Sequence, residues 1–170
     1  TSFFYPMSTV SAHVSAVPNH QTGRVSAIGT RGTVAMAGSF GYELDLNMLS
    51  EEEKQEVFRQ VETYRKNQDL IYNGLYYRLC DPMEDNMSIW EFAARDGAQV
   101  LVQGVVYRAE PNALRRRIRL AGLAKEAQYQ VAGEENVYTG AALMAGGILL
   151  PEIKGDDAAV QIHLKRVSTL

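Results

Sequence analysis

The 170 residues carry a formal net charge of −3, an apolar fraction of 46% and one cysteine. That charge leaves no electrostatic footprint for nucleic acid or an anionic membrane surface, while the apolar share is enough to bury a core. The lone thiol, Cys80, excludes an internal disulfide and suits a reducing, cytoplasmic compartment. No apolar run is long enough to cross a bilayer as a helix, and Thr1 opens no signal-peptide pattern. An aromatic cluster, Phe3-Phe4-Tyr5, follows Thr1 at once, so the N-terminus reads as a cut through structure.

Residues up to about Asn67 alternate strand and helix. Ser11 to Val17 is a short strand of small residues that stops at Pro18-Asn19. Ile28 to Met36 fits a short helix closed by Gly38, and Phe40 to Leu46 alternates with period two as a second strand. Ser50-Glu51-Glu52-Glu53 is a capping box, in which the Ser50 hydroxyl and the Glu53 carboxylate each take the other's backbone amide. Its three carboxylates also sit at the positive end of the helix dipole. The helix that follows places Val57, Phe58, Val61 and Tyr64 on one face. Strand, helix, strand, helix implies parallel pairing.

From Leu75 onward the chain reads as short strands and tight turns. Candidates are Leu75 to Leu79, Ile89 to Arg95, Gln99 to Tyr107, Arg116 to Leu120, Gln128 to Val131 and Val160 to Val167. Asp96-Gly97 predicts a type I′ hairpin between the second and third of these. The spacing argues for an antiparallel sandwich. The halves meet near Asn73-Gly74, giving domains 1–72 and 73–170.

Chemistry is sparse on this sequence. Glycoside hydrolysis needs two carboxyls facing each other across a sugar. Glu51 to Glu53 are accounted for by capping, Asp156-Asp157 lie in a Gly-flanked turn, and Glu84-Asp85 read as solvated. Glu43 and Asp45 share one face of a strand end and are harder to dismiss, although a structural role still weighs more. His13, His20 and His163 do not fall at metal-ligand spacing, and Cys80 has no evident base. The glycines at 29, 32, 38 and 41 form no phosphate-binding fingerprint. Trp90, Phe92, Tyr76, Tyr77 and Tyr107 belong to a core more readily than to a sugar platform, and Arg115-Arg116-Arg117 reads as the wet face of a strand. No cofactor is implied.

Ser11 to Arg24, SAHVSAVPNHQTGR, resembles a signature block of the α-galactosidases of glycoside hydrolase family 36. The resemblance continues through Thr30 to Leu46 and Leu49 to Glu53, then thins to Ala109 to Asn112, Tyr138 to Gly140 and Leu143-Met144. Ser8-Thr9-Val10 departs from the family's usual lead-in to the Ala-His pair. The resemblance implies α/β followed by all-β: the last two βα units of a (β/α)8 barrel, then a C-terminal antiparallel β-sandwich. Thr1 to Tyr5 would end helix six and Ser11 to Val17 would be strand seven. Helix seven, strand eight and helix eight would fall at Ile28 to Met36, Phe40 to Asp45 and Ser50 to Lys66.

In that family the nucleophile is the Asp of a Lys-Trp-Asp motif and the acid/base the Asp of a Ser-Asp motif. The chain contains neither. The resemblance therefore implies a part of a retaining α-galactosidase that is inactive alone, within a homo-oligomer that acts on oligosaccharides such as raffinose. The loop after strand seven, Pro18 to Gln21, would line or brace the pocket, with Asn19 and His20 as the substrate-binding candidates. Competing readings are a non-catalytic carbohydrate-binding or structural β-sandwich module, and an α-N-acetylgalactosaminidase or galactosyl-transfer activity in the same barrel. A quarter of a barrel must also be completed by an upstream segment, a second copy or rearrangement.

Overall fold

The computed structural model describes residues 2–169, with side chains through residue 167. The chain divides into two compact units, 1–72 and 73–170. Thr1 lies outside the described residues, and residues 2–4 form a turn followed by a 3-10 turn at Met7–Thr9.

In the first unit β1 (Ser11–Ser15) and β2 (Ser39–Glu43) pair in parallel, in register from Ser11↔Ser39 to Ser15↔Glu43. The crossover between them carries α1 (Ile28–Ala35), and α2 (Glu51–Asn73) follows β2. Alternation along the strands sends Ala12, Val14, Phe40 and Tyr42 to one side, where they pack with Ile28, Ala35, Leu49 and Val57. Parallel strands and a helical crossover are what the alternating pattern predicts. Both strands end earlier than expected. Beyond β2 the Asp45 carboxylate accepts from the Asn47 amide at 2.9 Å and starts a 3-10 turn, Leu46–Met48.

The capping box forms as read: Ser50 Oγ accepts from the Glu53 amide at 3.2 Å, and Glu53 Oε2 from the Ser50 amide at 3.1 Å. The buried stripe of α2 runs through Gln60, Tyr64, Asn67 and Ile71, with Leu70 beside it. Phe58 was expected in that stripe but is 66% exposed, because it lies about 100° around the helix from Val57. The stripe is closed by polar side chains. Gln60 Nε2 donates to the Ile28 carbonyl at 3.0 Å and to Glu56 Oε1 at 3.0 Å, and Tyr42 Oη donates to Gln60 Oε1 at 2.7 Å. Burial pushes the Tyr42 phenol up to about 12, which keeps it a donor.

The second unit is built on a six-stranded antiparallel sheet in the order β3-β4-β5-β10-β7-β8. Its strands are β3 (Leu75–Arg78), β4 (Met87–Ala93), β5 (Gln99–Val106), β7 (Ala127–Val131), β8 (Val137–Thr139) and β10 (Ala158–Thr169). A two-stranded antiparallel sheet, β6 (Arg117–Ile118) with β9 (Ile148–Leu149), is preceded at β9 by α3 (Gly140–Ala145). One face of the large sheet contributes Ile89, Val100, Val102, Tyr129, Val160 and Ile162 to a core that Ile118, Leu120, Leu123, Leu143, Ile148 and Leu150 cover. That is the antiparallel, sandwich-like arrangement the strand spacing implies.

β8, α3 and β9 fall between the strand candidates that the sequence offers. The Thr139 hydroxyl accepts from the Ala142 amide at 3.1 Å and caps α3. The Asp96-Gly97 hairpin exists, but a I′ turn needs positive φ at both central residues. Here Gly97 alone has it (φ 67), and the Gly97 amide closes on the Ala94 carbonyl at 2.9 Å, which gives a longer loop.

Candidate functional site

Side-by-side parallel strands put their following loops at one edge, and in α/β proteins ligands bind at the carboxyl ends of the strands. In the first unit that edge is formed by residues 16–27 after β1 and by Leu44 and Asp45 after β2.

The longer loop is held at its base and within its tip. At the base, Arg31 reaches back from the first turn of α1 with its side chain only 10% exposed. It donates from Nη1 to the Ser15 carbonyl at the loop's entry and from Nε to the Ser26 carbonyl, 3.0 Å away, at its exit. Glu53 Oε1 stands 4.0 Å from its Nη2. Burial lowers the guanidinium pKa from its ordinary value, and Glu53 opposes that shift. In the tip, Asn19 organises the turn. Its Oδ1 accepts from the Gln21 amide (3.1 Å), the Thr22 amide (3.0 Å) and the Thr22 hydroxyl (3.1 Å). The backbone closes 19–24 with Gly23 N to Asn19 O at 2.8 Å and Asn19 N to Arg24 O at 2.9 Å. Gly23 takes φ 67, open to glycine without strain.

The two side chains singled out in the sequence thus differ. Asn19 is half-buried with its oxygen committed to the turn, whereas His20 at the tip is exposed. Below them, His13 Nε2 lies 2.8 Å from Glu43 Oε2 across the two strands. The other carboxylate sets serve locally. Asp45 caps its 3-10 turn, Lys54 pairs with Glu51 at 2.7 Å, Asp85 pairs with Arg116 at 2.6 Å, and Asp156 Oδ1 accepts from the Ala109 amide at 2.8 Å. Among the described residues no three of His, Cys, Asp and Glu cluster as metal ligands.

In the second unit, Cys80 is half-buried and its thiol is pushed up by burial first and by Asp85 second, which disfavours the thiolate. His163 is pushed down by burial and Lys165, and its Nε2 meets Gln99 Oε1 at 3.1 Å. A cleft of about 460 Å³ opens between Asn86, Arg108, Glu110 and Arg115 above a floor of Met87 and Leu150. The arginine run is exposed, as the sequence implies, with Arg117 opening β6, and it also clamps locally: Arg115 donates to the Leu150 carbonyl at 2.9 Å and Arg117 to that of Gly147 at 3.0 Å. Among the described residues no helix is long and apolar enough to cross a membrane.

Arg31 lies within the Thr30 to Leu46 stretch, but nothing in its local sequence marks its role. Its reach to both ends of the loop follows only once α1 lies over the end of β1.

Two family models match this sequence: Melibiase over residues 1–74, and the glycosyl hydrolase family 36 C-terminal domain over residues 87–164. The chain belongs to glycoside hydrolase family 36. It corresponds to the family's C-terminal part, spanning only 17% to 23% of the length of curated relatives that it matches over nearly its whole length. The bifunctional α-galactosidase/sucrose kinase AgaSK of Mediterraneibacter gnavus is 48% identical over 95% of this chain and 17% of its own. The α-galactosidase AgaA of Geobacillus stearothermophilus is 44% identical over 98% of this chain and 23% of its own. Among solved family structures, the galactosidase domain of AgaSK superposes with a TM-score of 0.95 at 46% identity, over 98% of this chain and 23% of that one. A variant of AgaA in complex with raffinose gives 0.93 at 43% identity, with the same two coverages.

Proposed function

We propose that residues 1–72 supply the last two βα units of a (β/α)8 catalytic barrel and residues 73–170 its C-terminal β-sandwich. The protein so completed is a retaining α-galactosidase that removes terminal α-galactosyl units from raffinose-type oligosaccharides. The observation that carries this reading is the superposition of 98% of the chain on a family 36 α-galactosidase bound to raffinose. The parallel β1/β2 pair with its crossover helix agrees with it, since that is the repeating unit of such a barrel.

The two reacting carboxylates come from outside this chain on this reading. One attacks the anomeric carbon while the other protonates the leaving oxygen, and water then resolves the glycosyl-enzyme with retention. The chain's own contribution is the rim of the pocket. Asn19 braces the loop, His20 at its tip reaches the sugar, and Arg31 fixes the loop's two ends. Alone, the chain is inactive; in the cell the completed protein is a cytoplasmic homo-oligomer. The test is to express the open reading frame together with its upstream sequence and follow raffinose hydrolysis. Galactose release by the long form and none by the 170-residue chain supports the reading. An inactive long form with a correctly folded barrel overturns it.

A further inference from the structure

The face of β1 and β2 turned away from the helices carries Ser11, His13 and Ser15 on one strand and Ser39, Gly41 and Glu43 on the other. No apolar side chain is among them. In a closed barrel this face is the lumen, whose deeper layers are bulky and branched and whose C-terminal rim meets the substrate. Glu43 is the last residue of β2, level with Ser15 at the end of β1, and His13 lies one lumen-facing step deeper, level with Gly41.

His13 Nε2 reaches diagonally to Glu43 Oε2 at 2.8 Å, with the side chains 49% and 75% exposed. An exposed pair of this kind contributes only about 0–1 kcal/mol to stability, so folding gives little reason for it. Glycine 41 is equally unexplained by the chain itself: a Cβ there would meet nothing within 4 Å, and its φ is not in the left-handed region. A strand glycine with no local conformational reason marks a place where another group comes close. The other carboxylate oxygen of Glu43 has no partner among the described residues.

Resting on the barrel reading above, we propose that Glu43 is a substrate-recognition carboxylate of the galactosyl site. One oxygen is held from below by the His13 imidazole N–H, and the other accepts hydrogen bonds from hydroxyl groups of the terminal sugar, which uses the room left at Gly41. Carboxylates suit this task because each oxygen offers two acceptor sites and a charged acceptor strengthens the bond to a hydroxyl. His13 is a positioning residue, acting through Glu43.

The experiment uses the long form, with aryl α-galactosides that each lack one ring hydroxyl. Glu43→Gln lowers kcat/KM for the parent substrate by about 10- to 100-fold, the range of a hydrogen bond to a charged group. The loss shrinks to a few-fold or less for the deoxy substrate missing the partner hydroxyl. His13→Gln gives a smaller loss with the same deoxy pattern. Glu43→Asp, which keeps the charge but shortens the reach, supplies the same reading if the Gln variant does not fold. Equal losses across every deoxy substrate, or no loss at all, overturn the assignment while leaving the barrel reading standing. A folded wild-type long form that hydrolyses no α-galactoside removes both.

Discussion

Glu91 is a charged residue type placed where the second unit is driest. It lies on β4 between Ile89 and Ala93, facing the apolar core, registered with Val102 on one side and Tyr77 on the other, and it is 0% exposed. Its Oε1 accepts from the Ala121 amide at 2.8 Å, which bolts the loop after β6 to the large sheet, and its Oε2 has no hydrogen-bond partner. Burial pushes its carboxyl up to about 8, with the Ala121 bond opposing, so the group is largely protonated at neutral pH. A carboxyl raised in the folded state keeps a proton that the unfolded chain has already lost. Glu91's contribution to stability is therefore fully present below the ordinary carboxylate pKa and is lost as pH rises toward about 8. The group's limiting slope is about 1.4 kcal/mol per pH unit in that window. Glu91→Gln keeps the acceptor for Ala121 and removes the titration. Urea unfolding of the two proteins at pH 5, 6, 7 and 8, followed by Trp90 fluorescence, is expected to give midpoints that diverge with pH, the variant losing less. Parallel pH dependences would show that Glu91 ionises in the folded state as it does in the unfolded chain.

At the scale of elements, the contact between α1 and α2 turns on Gly32. A Cβ there would collide with Oε1 and Cδ of Gln60. A flexible side chain can usually swing away. Gln60 is held by Tyr42, Glu56 and the Ile28 carbonyl, so moving it breaks a buried network. Gly32→Ala is expected to destabilise by about 1–3 kcal/mol, the range for overpacking. Gln60→Ala costs stability by itself, but combined with Gly32→Ala it relieves the clash, and a double-mutant cycle by thermal melting should show that coupling. Additive effects would mean the helices are not in contact through this pair. Such closures explain what the sequence conceals. The capping box at Ser50 and the period-two strands are local patterns, legible because the residues that make them are neighbours in the chain. Phe58 lies off the α2 stripe because Gln60 and Asn67 complete it, polar residues that a hydrophobic pattern passes over. Glu91 and Arg31 were invisible for a related reason: each takes its role from a backbone amide or carbonyl on a different element. At the candidate site the sequence singles out Asn19 and His20, sets His13 aside and gives Glu43 a mainly structural role; the His13–Glu43 pairing required the parallel register.

For the whole chain, the decisive feature is a parallel sheet of two strands. Among the described residues β1 and β2 pair only with each other, so each keeps an open edge. Parallel sheets are normally wide and covered on both faces, because every βαβ crossover lays a helix on the sheet and antiparallel pairing is otherwise the stabler choice. Open edges recruit further strands from whatever chain is at hand. If the remaining barrel strands lie upstream, the 170-residue chain alone must satisfy these edges by self-association. Light scattering over a hundredfold concentration range is then expected to show mass rising with concentration. Adding the upstream segment as a separate polypeptide should return a single species of fixed stoichiometry and restore raffinose hydrolysis, which neither piece shows alone. The two readouts test different things. Recovery of a single species without hydrolysis would support shared strand pairing but not the proposed chemistry. A concentration-independent monomer that ignores the added segment would mean that the two-stranded sheet is complete as it stands, and the barrel reading would fall with it.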